Sequence, residues 1–524
     1  MDETLSKTND TQEGLKYIPW LMHITASKLY DYLQCKHRVW RDIYGPQEEK
    51  IQETNPFIEL LWQKGVQHEE KIVGKLGLIA DMSDGSLDER FHKTIEAMKS
   101  EIPLIYQGVL MHGNLLGIPD LLKRLSDGNY MAIDIKSGSG MEGVDEDEGE
   151  EGKPKKHYAV QLCLYTELLN ILGFSKLKSG KIIDIHGNEV DYDLAASRGP
   201  RTPQTWWEFY EQIKKHVEFL MKNEDKNKPA MAGVCKLCPW YTSCKKWCDE
   251  NQDLSNIFYL GRSVRDVINE DLLVERIEDF LDIDVENLLK EKKKDKNFLK
   301  GLAEKSLSKY LRRANILINT KKPVIYEPIA FPVVNYELFF DIEDDPTQDF
   351  VYMHGVYERH GNNEKFLHFT AKEFSNEAEK EAWANFWKYI KSLPKDDFAV
   401  YYYSHHEKTK YKKLQEQYPD VISMEEVETF FDNPNVIDLY KIVQGQTDWP
   451  VGSYSLKALA TFLGFKWRDE TPSGALSIQW FNEYLKTGDG KILERILLYN
   501  EDDCKATMVL KDAIEKLIVR KNET

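Results

Sequence analysis

No apolar run in these 524 residues approaches the roughly 20 that a membrane-spanning helix needs, so no transmembrane segment is expected. The opening Met1-Asp-Glu-Thr-Leu-Ser-Lys7 lacks the basic-then-apolar order of a secretory leader, and the chain reads as cytoplasmic. No G-x-x-x-x-G-K-[ST] run occurs, which excludes a P-loop motor within the chain. Basic residues are in deficit, 70 Lys and Arg against 88 Asp and Glu for a net charge of −18. Phosphate binding wants basic surface, so a polyanion partner requires that the charge be unevenly distributed. Cysteine is scarce, seven in all, and in a cytosolic chain those seven argue for metal or cluster ligation before disulfides. No internal repeat is evident.

The charge is indeed uneven. Glu142 to Glu151 holds seven acids and no base, whereas Lys290 to Arg313 holds ten bases against three acids. That basic stripe reads equally as a nucleic-acid contact or a solvated helix face. Residues 1–19 are polar and expected to be disordered. Helices are predicted from Ile24 (capped by Thr25 or Ser27), over Pro56–Leu76, His157–Leu172 and Trp206–Lys222. Strands are predicted around Tyr106–Leu116 and Tyr130–Ile135, with a mobile loop at Gly138–Lys156. Leu254–Lys321 is helical by pattern, with a weak Leu260-Gly-Arg262 signal for a hairpin contact to DNA, and Pro323–Pro332 reads as a linker. Then the character changes. Strands at Tyr336–Ile342, Phe350–Glu358 and Lys365–Thr370, a helix at Glu377–Ser392, a strand at Phe398–Tyr403 and later helices ending with Leu493–Val519 give the order βββαβα.

Two sets of carboxylates follow apolar strands. Gly117-Ile-Pro-Asp120 precedes Tyr130-Met-Ala-Ile-Asp134-Ile-Lys136. Two strands paired as a hairpin would bring Asp120 and Asp134 to one edge, and Lys136, two residues on, points to the same face as Asp134. An acid pair beside a lysine suits divalent-metal hydrolysis of phosphodiesters. His68, in Gly65-Val-Gln-His68, is a natural third ligand for Mn²⁺ or Mg²⁺, and Gln161 and Tyr165 share a helix face. In the second set Asp341 and Glu343 project from one face of the strand Tyr336–Ile342. Asp503 lies four residues after Tyr499, on the same face of a late helix. Glu407 closes Tyr401-Tyr-Tyr-Ser-His-His-Glu407. Four such carboxylates could hold two divalent ions about 4 Å apart, with Tyr499 orienting water. Asp438 is a reserve for the middle ligand, and Asp502 competes with Asp503.

Cys235-Lys-Leu-Cys238 is followed by Cys244 and Cys248. Four thiolates at this spacing hold zinc or an iron–sulfur cluster. Cys163 is expected in the core, and Cys504 has no assigned role.

The ordered set G-x-x-H, P-D, D-x-K and Q-x-x-x-Y resembles the RecB-type branch of the PD-(D/E)XK nucleases, with aspartate at the D-x-K acid. The resemblance implies His68, Asp120 and Asp134 as metal ligands with the Ile135 carbonyl, Lys136 as the catalytic lysine, and Gln161 and Tyr165 as supporting residues. RecB-like nucleases of the AddB and CRISPR-associated types pair a cysteine near the N-terminus with C-x-x-C-x5-C. This implies a [4Fe–4S] staple on Cys35, Cys235, Cys238 and Cys244, with Cys248 spare and zinc the alternative. The second set resembles the DEDD exonucleases of the ribonuclease H-like fold, most closely the YprB-like branch, and departs from it in Glu407 and Ser404. The implied architecture is α/β and multidomain. It has a disordered 1–19, a restriction-endonuclease-like PD-(D/E)XK domain over 20–253, a helical connector over 254–332 and a ribonuclease H-like domain over 333–524. The implied function is a Mg²⁺- or Mn²⁺-dependent deoxyribonuclease with a 3′–5′ exonuclease site, in DNA repair, recombination or defence. An RNA-processing nuclease and a non-catalytic nucleic-acid-binding subunit partnering a helicase are the alternatives.

Overall fold

The computed structural model describes residues 23–51, 56–77, 79–142, 152–199, 202–223 and 227–517. The expected disorder of 1–19, and the 143–151 part of the expected mobile loop, lie outside these residues. The chain divides into two compact units. The first is Met1–Gln52, Trp62–Lys228 and Cys238–Trp240, and the second is Glu53–Leu61, Pro229–Leu237 and Tyr241–Thr524.

The first unit is built on a six-stranded mixed sheet ordered Ala80–Asp81, Leu104–Tyr106, Leu121–Arg124, Tyr130–Ile135, Ser179–Ile183, Glu189–Asp193. All six positions of Tyr130–Ile135 are buried, which explains its unbroken apolar run. It pairs antiparallel with Leu121–Arg124 (Leu121 opposite Ile133) and parallel with Ser179–Ile183. The helix between those parallel partners, Lys156–Ile171, has Leu162, Cys163, Leu164 and Leu168 in the core, as expected for Cys163. The predicted helix ends hold closely. Thr25 caps Ala26–Gln34 by accepting from the Lys28 N–H, and a Thr205–Glu208 capping box opens Trp206–Lys222.

Other expectations fail for local reasons. The single strand expected at Tyr106–Leu116 is three short ones, because His112-Gly-Asn114 turns the chain, with Gly113 at φ +58°. The helix Leu87–Lys99, opened by a Ser86–Glu89 capping box, went unrecognised although its S-x-x-E start was in view.

The second unit carries a five-stranded sheet ordered Asn363–Thr370, Phe350–His360, Tyr336–Asp345, Phe398–Tyr402, Val436–Asp438. The first three strands are antiparallel and the last two run parallel to the centre. The expected βββαβ order is present, and Val436–Asp438 adds a fifth strand too short to be read from periodicity. Helices Asn376–Ser392 and Gly490–Glu515 pack on the sheet. A register shift between Glu343 and Asp344 bends the central strand beside its acids.

Residues 254–320 have their own apolar core around Leu260, Ile268, Phe280 and Leu307. They dock on the sheet domain through Arg313, which is 2% exposed. Its Nε donates to Asp448 Oδ1 at 2.7 Å and its Nη1 to the Phe258 carbonyl at 2.9 Å. The Tyr326 hydroxyl donates to the other Asp448 oxygen at 2.6 Å. The expected linker at 323–332 therefore begins as a strand, Val324–Ile325 paired with Thr447–Asp448. Leu260 is buried and Arg262 donates to the Ala230 carbonyl, so the Leu260-Gly-Arg262 turn is engaged in packing. Within the basic stripe, Lys290 and Lys294 pair with Glu286 and Glu291, and Lys292 caps the Phe298 and Leu299 carbonyls.

Candidate metal centres

In the first unit the hairpin of Leu121–Arg124 and Tyr130–Ile135 brings Asp120 beside Asp134. The Asp120 N–H donates to Asp134 Oδ1 at 3.4 Å, and the Ile135 N–H donates to Asp120 Oδ2 at 2.7 Å. Lys136 is ion-paired with Asp134. Burial, then the Asp134 charge, pushes the Asp120 carboxyl well above the usual range, with Lys136 opposing. Burial alone would lower Lys136, but the Asp134 and Asp120 carboxylates outweigh it and the ammonium is favoured. Gln161 Nε2 donates to the Tyr165 hydroxyl at 2.8 Å, which donates to the Ile118 carbonyl at 3.3 Å. The pair thereby braces the Gly117–Asp120 backbone. Gly117 makes this possible, since a Cβ there would sit 2.7 Å from Tyr165 Cδ1.

His68, on the helix Pro56–Val73, has Nε2 3.0 Å from the Asp184 carbonyl. A carbonyl only accepts, so the proton is on Nε2 and the lone pair on Nδ1, the tautomer of a ligating histidine held from behind. Two residues escaped the sequence reading. Glu69 Oε1 accepts from the Tyr106 hydroxyl and from Gln107 Nε2, both at 2.9 Å, and Gln107 Nε2 also reaches Asp120 Oδ1 at 3.1 Å. Nothing in residue spacing pointed to either.

In the second unit the central strand supplies Asp341 and Glu343 and the helix Gly490–Glu515 supplies Tyr499 and Asp503. Among the described residues, Asp341, Glu343 and Asp503 form the group whose ligand oxygens all lie within 4.8 Å of one another. They line a cavity of about 330 Å³ with Asp344, Ile478 and Tyr499. Burial, then Asp503, pushes Asp341 well above the usual carboxyl range and Glu343 up to about 8; Asp503 is raised by burial. Asn500 is fully buried and bridges the strand acids, its Nδ2 2.8 Å from Asp341 Oδ2 and 3.3 Å from Glu343 Oε1. Gly355, opposite Asp341 on the neighbouring strand, leaves the space, for a Cβ there would fall 1.6 Å from Asn500 Oδ1. Trp467 Nε1 donates to Asp503 at 2.7 Å, and Tyr352 donates to Glu343 at 3.3 Å. Lys457 Nζ is 2.8 Å from the Tyr499 oxygen. Burial, then Asp503, holds the Tyr499 phenol protonated.

The rival acids are otherwise employed. Asp502 takes the Arg468 N–H and guanidinium at 2.8 and 2.9 Å. Asp438 caps the helix Leu439–Gln446 through the Tyr440 N–H, and Asp344 is paired with His406 and Lys410. Glu407 stands outside the compact group, 3% exposed, with Ser404 Oγ at 3.3 Å. Burial pushes it up to about 7. Ser404 itself has φ 148°, a conformation nearly reserved for glycine and stored at functional sites at a cost of about 1–3 kcal/mol.

Of the cysteines, Cys35 and Cys238 belong to the first unit and Cys235, Cys244 and Cys248 to the second. The Ala232 N–H donates to Cys235 Sγ at 3.3 Å. Cys248 is fully buried, and burial with the Asp253 charge pushes its thiol up to about 12, which suits a core residue. Cys504 is a buried neighbour of Asn500, with Sγ 3.9 Å from its oxygen.

A family model of the RNase H superfamily matches residues 338–515, and no curated protein matches the chain. The C-terminal region is an RNase H-like domain within a mixed α/β multidomain chain, and a nuclease-type function fits it. No helix among the described residues is long and apolar enough to cross a membrane.

Proposed function

We propose that the chain is a metal-dependent nuclease that hydrolyses DNA phosphodiesters at two centres, a 3′–5′ exonuclease of the DEDD type in the second unit and a RecB-like site in the first. The observation that carries this reading is the convergence of Asp341, Glu343 and Asp503 inside an RNase H superfamily match. The oxygens of these three carboxylates crowd within 4.8 Å, and burial first, then the charge of Asp503, raises the proton affinity of Asp341 and Glu343. The donor set therefore fits Mg²⁺ or Mn²⁺, hard cations that take oxygen ligands. Asp341, Glu343 and Asp503 would hold the ions, with Glu407 at the margin. When bound, such ions neutralise the developing phosphorane charge and lower the pKa of water.

The protein groups do the rest. Asn500 fixes both strand acids. Lys457 donates to the Tyr499 oxygen and the phenol in turn hydrogen-bonds the Asp503 carboxylate; with that carboxylate taken by a metal, the phenolic proton would be released to position water. At the first centre His68, Asp120, Asp134 and the Ile135 carbonyl would be the ligands, as the RecB-like resemblance implies. Lys136 supplies a cation beside the scissile phosphate, and Gln161 and Tyr165 hold the motif backbone. The resemblance to RecB-like nucleases implies a [4Fe–4S] cluster on Cys35, Cys235, Cys238 and Cys244, with zinc the alternative. DNA repair, recombination or defence in the cytoplasm, with a helicase partner, is the setting that the resemblance to RecB-like nucleases implies.

The test uses anaerobically purified protein with Mn²⁺ or Mg²⁺ on end-labelled single-stranded DNA, duplex DNA and RNA. Asp341→Asn should lose 3′-end trimming by about 10³-fold, Lys136→Ala should lose the remaining cleavage to a similar degree, and the double variant should be inert. A double variant as active as wild type sinks the two-centre reading. Preferential cleavage of RNA would move the substrate. Iron with visible absorbance supports the cluster, and stoichiometric zinc replaces it.

A further inference from the structure

In the first unit a file of rings and cations leads from Lys136 to the surface. Lys136 Nζ lies 5.7 Å from the Tyr158 ring centroid, and Lys155 Nζ lies 5.3 Å from the same ring. Tyr158 meets His157 edge-on at 4.3 Å, and His157 meets Tyr30 edge-on at 5.6 Å. Exposure rises along the file, from 8% at Tyr158 to 44% at Tyr30. Burial, with the Lys155 and Lys136 cations behind it, pushes His157 down to about 4, so at neutral pH it is an uncharged ring and the lysines carry the positive charge. Lys136 is paired with Asp134, so Lys155, with Glu142 the acid acting on it, is the cation of the file that a phosphate backbone can use.

We propose that Tyr30, His157, Tyr158 and Lys155 form a subsite for single-stranded nucleic acid, in which an unpaired base stacks on the Tyr30 ring and Lys155 takes the phosphate between that base and the cleavage centre. The proposal rests on the first centre being a nuclease site. The edge-on contact with His157 covers at most one face of Tyr30. Bases inside a duplex have both faces stacked, whereas a single strand offers one to an aromatic side chain. Basic side chains interleaved with aromatic ones bind the backbone while the rings take the bases, without sequence preference.

The experiment places a 12-nucleotide thymidine strand carrying 5-iodouracil on the intact chain in EDTA, irradiates it, and maps the cross-linked peptides by mass spectrometry. Fluorescence anisotropy is followed in parallel. We expect a cross-link at Tyr30. Tyr30→Ala should weaken binding about 5- to 100-fold, equivalent to a stacked base, while Tyr30→Phe retains it. Lys155→Ala should reduce the slope of log K against log salt by about 0.7. Closed circular duplex should not cross-link there. Absence of the Tyr30 cross-link, or an undiminished affinity in Tyr30→Ala with its circular dichroism intact, overturns the subsite. If Tyr30 cross-links but Lys136→Ala added to Asp341→Asn cleaves like Asp341→Asn alone, the nuclease reading of the first centre fails and the subsite stands. If the Lys136→Ala, Asp341→Asn double variant is inert and Tyr30 does not cross-link, the subsite alone fails.

Discussion

Asp120 and Asp134 are contributed by adjacent strands of one hairpin, and the lysine that pairs with Asp134 is two residues away in sequence. Asp341, Glu343 and Asp503 come from a strand and a helix, with 159 residues between Asp341 and its Asn500 partner. The cation at that second centre, Lys457, touches the Tyr499 hydroxyl rather than a carboxylate. The first centre thus has its counter-charge in contact with one of its acids, whereas the second has Lys457 acting from beside Tyr499, where it opposes the raising of all three acids without pairing with any of them. A site of the first kind is preorganised by local pairing and tolerates an empty state. A site of the second kind needs a bound cation to reach its lowest free energy.

The largest expected difference is in how the two centres respond to pH and divalent ions. Glu343 is pushed up to about 8 and Glu407 to about 7, both by burial first, against about 4.5 for an unperturbed glutamate. A carboxyl whose folded pKa exceeds its unfolded one stabilises the fold fully below the unfolded value. That contribution is lost as pH rises through the folded value. Metal-free protein should therefore lose stability around the second centre between about pH 4.5 and 8. Mn²⁺ at a hundredfold excess over its dissociation constant should restore about 2.7 kcal/mol. Hydrogen exchange, corrected for intrinsic rates, reads this as protection of Tyr336–Asp345 that falls with pH and returns with metal. The strand Tyr130–Ile135 should change less, because Lys136 pairs with its Asp134 and leaves the raised Asp120 as the acid that responds there. Equal responses in the two strands would break the contrast.

A smaller effect separates the residues that hold the acids. Asn500→Ala removes a side chain that bridges Asp341 and Glu343, and should weaken Mn²⁺ binding at the second centre about 10- to 100-fold. Gln107→Ala at the first centre should cost less than that, since the Ile135 N–H still holds Asp120. Metal titrations followed by the same strand protections check both. A Gln107→Ala loss as large as that of Asn500→Ala would mean that the first centre is no better braced than the second.

What was legible in the sequence follows the same division. D-x-K and D-x-E lie on strands whose apolar runs announce them, and the helix starts at Thr25 and Thr205 carry their caps in plain view. Pairing of Asp120 with Asp134 needed only a hairpin, although the strands leading to it were misjudged where Gly113 turns the chain. Asn500 lay between Tyr499 and Asp503 in full view and was still passed over, because its role depends on a glycine 145 positions upstream in another strand. Lys457 and Trp467 reach the centre from segments with no periodic signal. Arg313 falls in a basic stripe that reads equally as a nucleic-acid contact or a solvated face, and Asp448 carries no signal, yet they form a buried pair that no local pattern encodes. Local periodicity found the elements; the contacts among distant ones, which decide how a site is held, left no local trace.

The two glycines offer the finest test of the comparison. Gly355→Ala drives a Cβ into Asn500 Oδ1, and Gly117→Ala drives one toward Tyr165 Cδ1. Overpacking at sites this tight costs about 1–3 kcal/mol. At the second centre the clash is with the side chain that holds the acids, so shortening that side chain should relieve it. Gly355→Ala combined with Asn500→Ala should be less destabilised than the sum of the single variants by about 1 kcal/mol, measured as Tyr336–Asp345 protection in a double-mutant cycle. Gly117→Ala combined with Tyr165→Ala relieves its clash too; Tyr165→Ala gives up the brace on the Ile118 carbonyl, but Asp120 stays held by the Ile135 N–H, so the coupling in metal affinity across that cycle should be smaller than at Gly355 and Asn500. A cycle at Gly355 and Asn500 that is strictly additive would show that the glycine is not what admits Asn500 to the acids. The contrast between a centre braced by its hairpin and one braced by a distant helix would then lose its structural basis.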